Sequence, residues 1–292
     1  MAWLKPIYDK MHQLLCVHTV LHADETTLQV LHESDRAAQA KSTMWLYRTS
    51  ADAEHQIVLY DYQTSRSGAH PKQFLQGFTG FLHTDGWEEY HRKLPREVTL
   101  VGCWAHCRRK FDEALKTLPE KDRAGSVALR GKLFCDKLFD LERSYEALVL
   151  DDHFTARKLA RLEQTKPVMD AFFSWCAQTD VLPKSLPGQA IRYARSQRAR
   201  LERVLLDGRL ELSNNRAERS VKPFVIGRKN WLFNNTPVGA NASAMIYSIV
   251  ETAKENGVKP YDYLAALLRK APNMAASCSL DALLPWNLGE GI

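Results

Sequence analysis

Residues 58–87 read VLYDYQTSRSGAHPKQFLQGFTGFLHTDGW. A strand-like run, Gln56–Tyr62, opens the stretch: short, β-branched and aromatic, and ended by polar residues. After a loop comes His70–Phe78, a short segment opened by His-Pro with helical content, and then a second strand-like run, Gly80–Thr84. Strand, helix and strand in so short a span read as an α/β layer. Working outward, Val17–Ala23 and Met44–Thr49 precede the stretch and Val98–Cys103 follows it, all with strand character. Thr27–Leu31 adds a further strand or prolongs the first hairpin.

From about Arg108 to Arg203 the text turns helical. Phe134, Leu138, Leu141, Tyr145 and Leu148 recur at helical spacing, and Leu159, Leu162, Met169, Phe172 and Cys176 continue a similar stripe, interrupted near Pro167. Pro183, Pro187 and Gly188 read as a loop. Beyond Gly208, Ser213 is the expected cap of a helix through Asn214–Glu218 that Pro223 ends or kinks. Asn241 is the expected cap of another, stopped by Gly257, and a last helix runs from Pro260 to Lys270 and closes at Pro272, before a loose tail from Asn273.

The chain has 292 residues, room for one large domain or two smaller ones. With 45% hydrophobic and 25% charged residues it is not a disordered chain. No apolar run nears the roughly 18 residues of a membrane span. Lys5, Pro6, Asp9 and Lys10 give the start no signal-peptide core. Six cysteines are too sparse for a disulfide scaffold, so reduced thiols in the cytoplasm are expected. Forty Lys and Arg against 34 Asp and Glu leave +6, which permits an anionic partner without requiring one.

The chemistry lies in carboxylates. Asp24 follows the apolar run Thr19–Ala23 and Asp85 follows Phe81–Thr84, each where a strand is expected to open into a loop. Glu218 is a third candidate, on the helix after the helical block. Hard oxygen ligands suit Mg²⁺ or Mn²⁺, and three carboxylates can hold two metals for phosphoryl transfer. Each acid alone has a plainer reading: the Asp residues as turn or cap groups, Glu218 as a partner of Lys222 one helical turn on. Cys103-Trp104-Ala105-His106-Cys107 invites zinc, but no second ligand pair is visible. Basic residues cluster at Arg192, Arg195, Arg198, Arg200 and Arg203, and again at Arg216, Arg219, Lys222, Arg228 and Lys229. Two such clusters suit phosphate contacts, and a solvated helix face is the alternative.

Four strings carry a specific resemblance: LHADETTLQVL (21–31), residues 58–87 as quoted, VGCWAHCRRKFDEALK (101–116), and LELSNNRAERSVKPFVIGRKNWLFNNTPVGANASAMIYSIVETAKENG (210–257). In this order the chain resembles the bacterial insertion-sequence 66 family of transposases. The resemblance implies an RNase H-like mixed sheet with a helical insertion between the second Asp and the Glu, plus C-terminal helices. It implies a catalytic and metal-binding triad of Asp24, Asp85 and Glu218, with support from Cys103 and His106, and Mg²⁺ or Mn²⁺ as cofactor. DNA contacts are expected from Arg108, Arg109, Arg192, Arg195, Arg198, Arg216, Arg219, Lys222, Arg228 and Lys229. The implied activity is nicking at transposon ends and strand transfer to target DNA, in a homo-oligomer and with accessory transposition proteins. The implied division is 1–16, the helix ending an upstream region; 17–116 and 208–272, the two parts of the core; 117–207, the insertion; and 273–292, a tail. Cys107 and Thr27 depart from the family pattern, where a small residue and Pro are expected. The chain is expected to be the catalytic half alone. A remnant that binds DNA without catalysis, and a general metal-dependent nuclease, are the competing readings.

Overall fold

The computed structural model describes residues 3–146, 152–271 and 279–288. In chain order the elements are α1 (Lys5–Cys16), β1 (Val20–Gln29), β2 (Lys41–Thr49), β3 (Val58–Gln63), α2 (Ala69–Phe74), β4 (Gly80–His83), α3 (Glu88–Lys93), β5 (Val98–Val101), α4 (Trp104–Lys116), α5 (Glu120–Arg123), α6 (Val127–Tyr145), α7 (His153–Ala160), α8 (Lys166–Gln178), α9 (Leu186–Leu201), α10 (Asn215–Trp231), α11 (Pro237–Glu255), α12 (Pro260–Lys270) and α13 (Pro285–Leu288). The fold class is mixed α/β, with a five-stranded sheet in the order β3-β2-β1-β4-β5. Two compact units divide the chain: Met1–Leu82, Glu88–Thr99 and Arg216–Ile292 form the first, His83–Trp87 and Leu100–Asn215 the second.

In the first unit β1, β2 and β3 are an antiparallel meander, with Asp24 opposite Leu46 and Trp45 opposite Asp61. Alternation sends Leu28, Met44, Leu46, Val58 and Tyr60 to one face, where Ala217, Val221 and Phe224 of α10 and Ala240 and Ala244 of α11 close the core. Full burial of each large side chain here stabilises by roughly 1.5–3 kcal/mol. The outer edge of β3 is not left open. The Tyr60 N–H donates to Ser248 Oγ at 2.8 Å and the Val58 N–H to Thr252 Oγ1 at 3.0 Å, both hydroxyls from α11. A helix thus satisfies main-chain donors that would otherwise template another strand.

The second unit is helical around Trp104, Phe111 and Phe172, with Trp104 and Phe172 centroids 5.5 Å apart. Cys107, Cys135 and Cys176 are buried with them, and among the described residues every cysteine is a free thiol. No helix among the described residues is long and apolar enough to cross a membrane.

Several local expectations change. β1 runs through Asp24 to Gln29 rather than ending before it, because Thr26 and Thr27 stay paired with Met44 and Thr43. Of the two outcomes expected at Pro223 the helix end does not occur: Pro223 lies inside α10, which continues to Trp231. Core contacts of Val221 and Phe224 on either side outweigh the roughly 3 kcal/mol a helical Pro costs. Asn241 is not a cap: Thr236 accepts the Gly239 N–H and Pro237 opens α11. Pro187 and Gly188 sit in the first turn of α9, capped by Ser185. Leu159 and Leu162 are exposed, and the break before Pro167 is a π-turn over Arg161–Thr165. The tail carries a 3₁₀ turn, Leu280–Leu283, and α13. Leu148, Pro272, Cys278 and the tail's other residues lie outside the described ones.

Candidate active site

In the first unit Asp24 stands mid-strand on β1, half-buried, with Oδ1 accepting the Glu25 N–H at 2.8 Å. Parity puts it on the sheet face that α10 covers, the face of Leu28, Met44 and Leu46. Glu218 occupies the first turn of α10, and its Oε1 is shut off from solvent. The unit therefore carries Asp24 on one sheet face and Glu218 on the helix packed over that face.

α10 is fixed to the sheet at both ends. Arg48, a fully buried cation on β2, donates from Nη1 to Ser220 Oγ at 2.5 Å and from Nη2 to Glu255 at 2.8 Å and Gln56 Oε1 at 3.0 Å. The Tyr60 hydroxyl donates to the Ser220 carbonyl. About four fifths of the way along, Arg228 Nη1 donates to Thr26 Oγ1 at 3.1 Å and to the Thr27 carbonyl. Arg228, expected at the DNA, is thus engaged on β1. Sequence reasoning missed Arg48, although an Arg inside the apolar run Met44–Thr49 is a legible signal of a buried, paired charge.

The opposite face of β1 holds Glu25, whose carboxylate accepts from Arg66 Nε at 2.8 Å and from the Tyr90 hydroxyl at 2.9 Å. Asp61 lies on this face too, and burial pushes its carboxyl up to about 6, while a hydrogen bond from Gln63 opposes the rise. A carboxyl raised in the fold above its unfolded value of 3.8 favours folding below that value and loses the contribution as pH climbs through about 6. Asp61→Asn should therefore stabilise the chain by about 1–2 kcal/mol at pH 8 and by little at pH 4, read from urea midpoints at both pH values. Equal effects at the two pH values would remove the charge argument.

In the second unit Asp85 stands two residues past β4, in the loop expected for it. Its Oδ1 accepts the Trp87 N–H at 2.9 Å, and Tyr193 of α9 donates its hydroxyl to the Asp85 carbonyl at 3.2 Å. Gly86 follows at φ +93°, with Gln197 Oε1 3.1 Å from where a Cβ would stand. Only glycine fits that turn. His83 Nε2 accepts the Glu211 N–H at 3.2 Å, tying the Asp85 loop to the strand of chain that leads into α10. Cys103 precedes α4, and its Sγ accepts the Asn214 N–H at 3.2 Å. Cys103 Sγ and a ring nitrogen of His106, one turn on, lie within 4.8 Å. Cys107 points elsewhere: its hydrogen bond with Cys135, together with burial, pushes its thiol well above the ordinary range. It is a core group.

Among the expected DNA contacts of the second unit, Arg108 pairs with Asp136 at 2.5 Å, whereas Arg109, Arg192 and Arg195 are exposed. Arg192 donates to the Pro183 carbonyl. Arg198 pairs with Glu202 at 2.9 Å and lies 4.9 Å from the Phe173 ring centroid. In the first unit Arg216 is half-buried, and Arg219, Lys222 and Lys229 are exposed. Arg195→Ala should lower the salt slope of duplex binding by about one counterion, and Arg198→Ala by less, in titrations across salt. Equal slopes for both would mean that the ion pair does not hold Arg198 back.

Two family models cover the chain: the transposase IS66 family over residues 1–242 and the IS66 C-terminal element over residues 248–286. An uncharacterized protein of Sinorhizobium fredii, y4qI, is 31% identical over 279 residues, 91% of this chain and 50% of that protein. Another from the same organism, y4hP, is 27% identical over 305 residues, 98% of this chain and 53% of its own length. A third, y4jD, is 28% identical over 299 residues, 98% of this chain and 57% of its own length. The chain spans about half the length of the curated relatives it matches. No solved structure matches. With a family model over more than four fifths of its length, the chain belongs to the IS66 family of transposases.

Proposed function

We propose that this chain is the catalytic portion of a DDE transposase with an RNase H-like core, in which Asp24, Asp85 and Glu218 hold Mg²⁺ or Mn²⁺. The observation that carries the reading is the placement of Glu218 on the helix that packs over the sheet face of Asp24. The donor set suits a hard divalent cation: three half-buried carboxylates, with Asp24 and Asp85 each oriented by a main-chain N–H. The bound metal supplies charge neutralisation at the phosphodiester and activation of the attacking oxygen. The chain's residues do the holding. Arg48 and Tyr60 fix the helix of Glu218, and Tyr193 fixes the loop of Asp85. Arg216, Arg219, Lys222 and Lys229 offer phosphate contacts beside Glu218, and Arg109, Arg192 and Arg195 do so on the second unit. Cys103 and His106 are support residues at the start of α4. The helices over residues 117–207 are the proposed insertion between Asp85 and Glu218. The reaction proposed is nicking at transposon ends followed by joining of the freed 3′-OH to target DNA, in a homo-oligomer with accessory transposition proteins.

Titration calorimetry with Mn²⁺ tests the site without knowledge of the DNA ends. The intact chain should bind the ion, and Asp85→Asn and Glu218→Gln should each weaken binding roughly 10–100-fold while remaining folded. Undiminished binding in both variants would sink the triad. No binding by the intact chain, even with duplex DNA present, would make the chain a DNA-binding remnant.

A further inference from the structure

The segment joining α10 to α11 is held in a strained form. Leu232 has φ +62°, in the left-handed region that L residues other than Asn and Asp seldom enter. Its N–H bonds the Arg228 carbonyl at 2.8 Å, and the Phe233 N–H bonds the Trp231 carbonyl at 2.8 Å. The next residues are stitched to the end of β1: Asn234 N–H to Gln29 O at 2.9 Å, Leu31 N–H to Asn234 O at 3.0 Å, and His32 N–H to Asn235 O at 2.9 Å. Behind the turn, Trp231 packs on Phe224 with centroids 5.3 Å apart. Gly227 makes room for this, since a Cβ there would stand 2.2 Å from the Tyr247 hydroxyl and 3.0 Å from Trp231 Nε1.

The backbone is thus pinned on both sides, yet its side chains face water: Leu232 is 63% and Phe233 42% exposed. Burial cannot explain a leucine that is both strained and exposed, and strain held by its surroundings points to use. The surrounding charge says what the tip meets. From Arg219 through Val250 the chain has no Asp or Glu. Lys222, Ile226 and Lys229 follow one another at i, i+4 and i+7 on α10, all exposed, and lead to the tip. An apolar tip behind a row of cations matches a nucleobase flanked by phosphates. A second apolar protein face would leave those cations unanswered.

We propose that Leu232 and Phe233 form a wedge that enters a DNA duplex at a nick or frayed end and stacks on the unpaired base, while Lys222 and Lys229 hold the flanking phosphates. The inference rests on the DNA reading of the preceding subsection, and assigns a positioning device to it. Apolar wedges between base steps act in this way by displacing stacking.

The test uses the full chain and two synthetic duplexes of the same sequence, one intact and one nicked, with 2-aminopurine beside the nick position. Binding is followed by anisotropy and unstacking by 2-aminopurine fluorescence. The intact chain should raise the fluorescence of the nicked duplex at saturation. A folded Leu232→Ala/Phe233→Ala variant should lose that rise and bind the nicked duplex roughly 5–100-fold more weakly, with little change on the intact one. Lys222→Ala/Lys229→Ala should weaken binding to both duplexes, flatten the salt slope and keep the rise at saturation. A rise that survives in the wedge variant, or an equal loss on both duplexes, overturns the proposal. So does a shift of that variant from dimer to monomer in sedimentation, which would make the tip a self-association face. Failure to bind either duplex overturns the DNA reading together with the wedge, whereas binding of both without any rise overturns the wedge alone.

Discussion

Arg161→Met should destabilise the helical unit by about 3–5 kcal/mol, the largest stability loss expected from a single substitution in it. Arg161 is fully buried in the π-turn. Its guanidinium donates to Glu142 at 3.0 and 2.5 Å and to three carbonyls: Val204 at 3.1 Å, Asp207 at 3.2 Å and Leu210 at 2.7 Å. Methionine fills the space of the stem but donates nothing. Glu142 keeps Arg157, which donates Nε to it at 2.7 Å, so the acid is not stranded. The main orphans are the three carbonyls, at about 1–3 kcal/mol for each left buried without a donor. Hence Glu142→Met added to Arg161→Met should not restore stability, although replacing a whole buried ion pair by apolar groups is often harmless. Calorimetric unfolding would check both. A loss below about 1 kcal/mol for the single variant, or full rescue in the double, would mean that water reaches those carbonyls.

The same residue shows why part of this fold was closed to sequence reading. Local sequence pattern, in strand composition and in proline and glycine signals, located all five strands and the bounds of α12, because there it agrees with tertiary burial. It failed where polar residues are satisfied by distant partners. Asp24-Glu25-Thr26-Thr27 looks like the end of a strand, yet the strand continues, since Arg66 and Tyr90 answer Glu25 and Arg228 answers Thr26. Pro223 looks like a stop, yet Arg48 and Tyr60 hold Ser220 and the helix runs on. Leu159, just before the π-turn, and Leu162, within it, fit a helical stripe but face solvent, because the π-turn shifts the phase of the buried face to Met169 and Phe172. At the candidate site only Asp85 stands as its strand-end reading expects, in the loop after β4, whereas Asp24 lies mid-strand on β1. The groups that fix the helix of Glu218 and the loop of Asp85 were not legible, for each lies far away in sequence: Arg48 is 172 positions from Ser220 and Tyr193 is 108 from Asp85.

Asp24→Asn should leave the metal-free fold within about 0.5 kcal/mol of the parent and lower metal-dependent DNA cleavage by roughly a thousandfold or more. The substitution keeps shape, and its amide oxygen still accepts the Glu25 N–H that now orients Asp24 Oδ1 at 2.8 Å. What disappears is the negative charge that a hard cation needs. A structural role predicts the reverse order of effects. An acid that held β1 in place through an ion pair would, once neutralised, lower the melting temperature with or without metal. A ligand role predicts that only the metal-induced part of the stability vanishes, and that part is large: saturating ion at about one hundred times its dissociation constant contributes about 2.7 kcal/mol to the native state. The comparison therefore needs four melting curves, parent and variant with and without Mn²⁺, beside the cleavage assay. Coincident metal-free curves with a shift only in the parent would place Asp24 at the ion. Retained cleavage in the folded variant would remove it from the chemistry, and the buried Glu25 on the other face of the same strand would then be the next carboxylate to test.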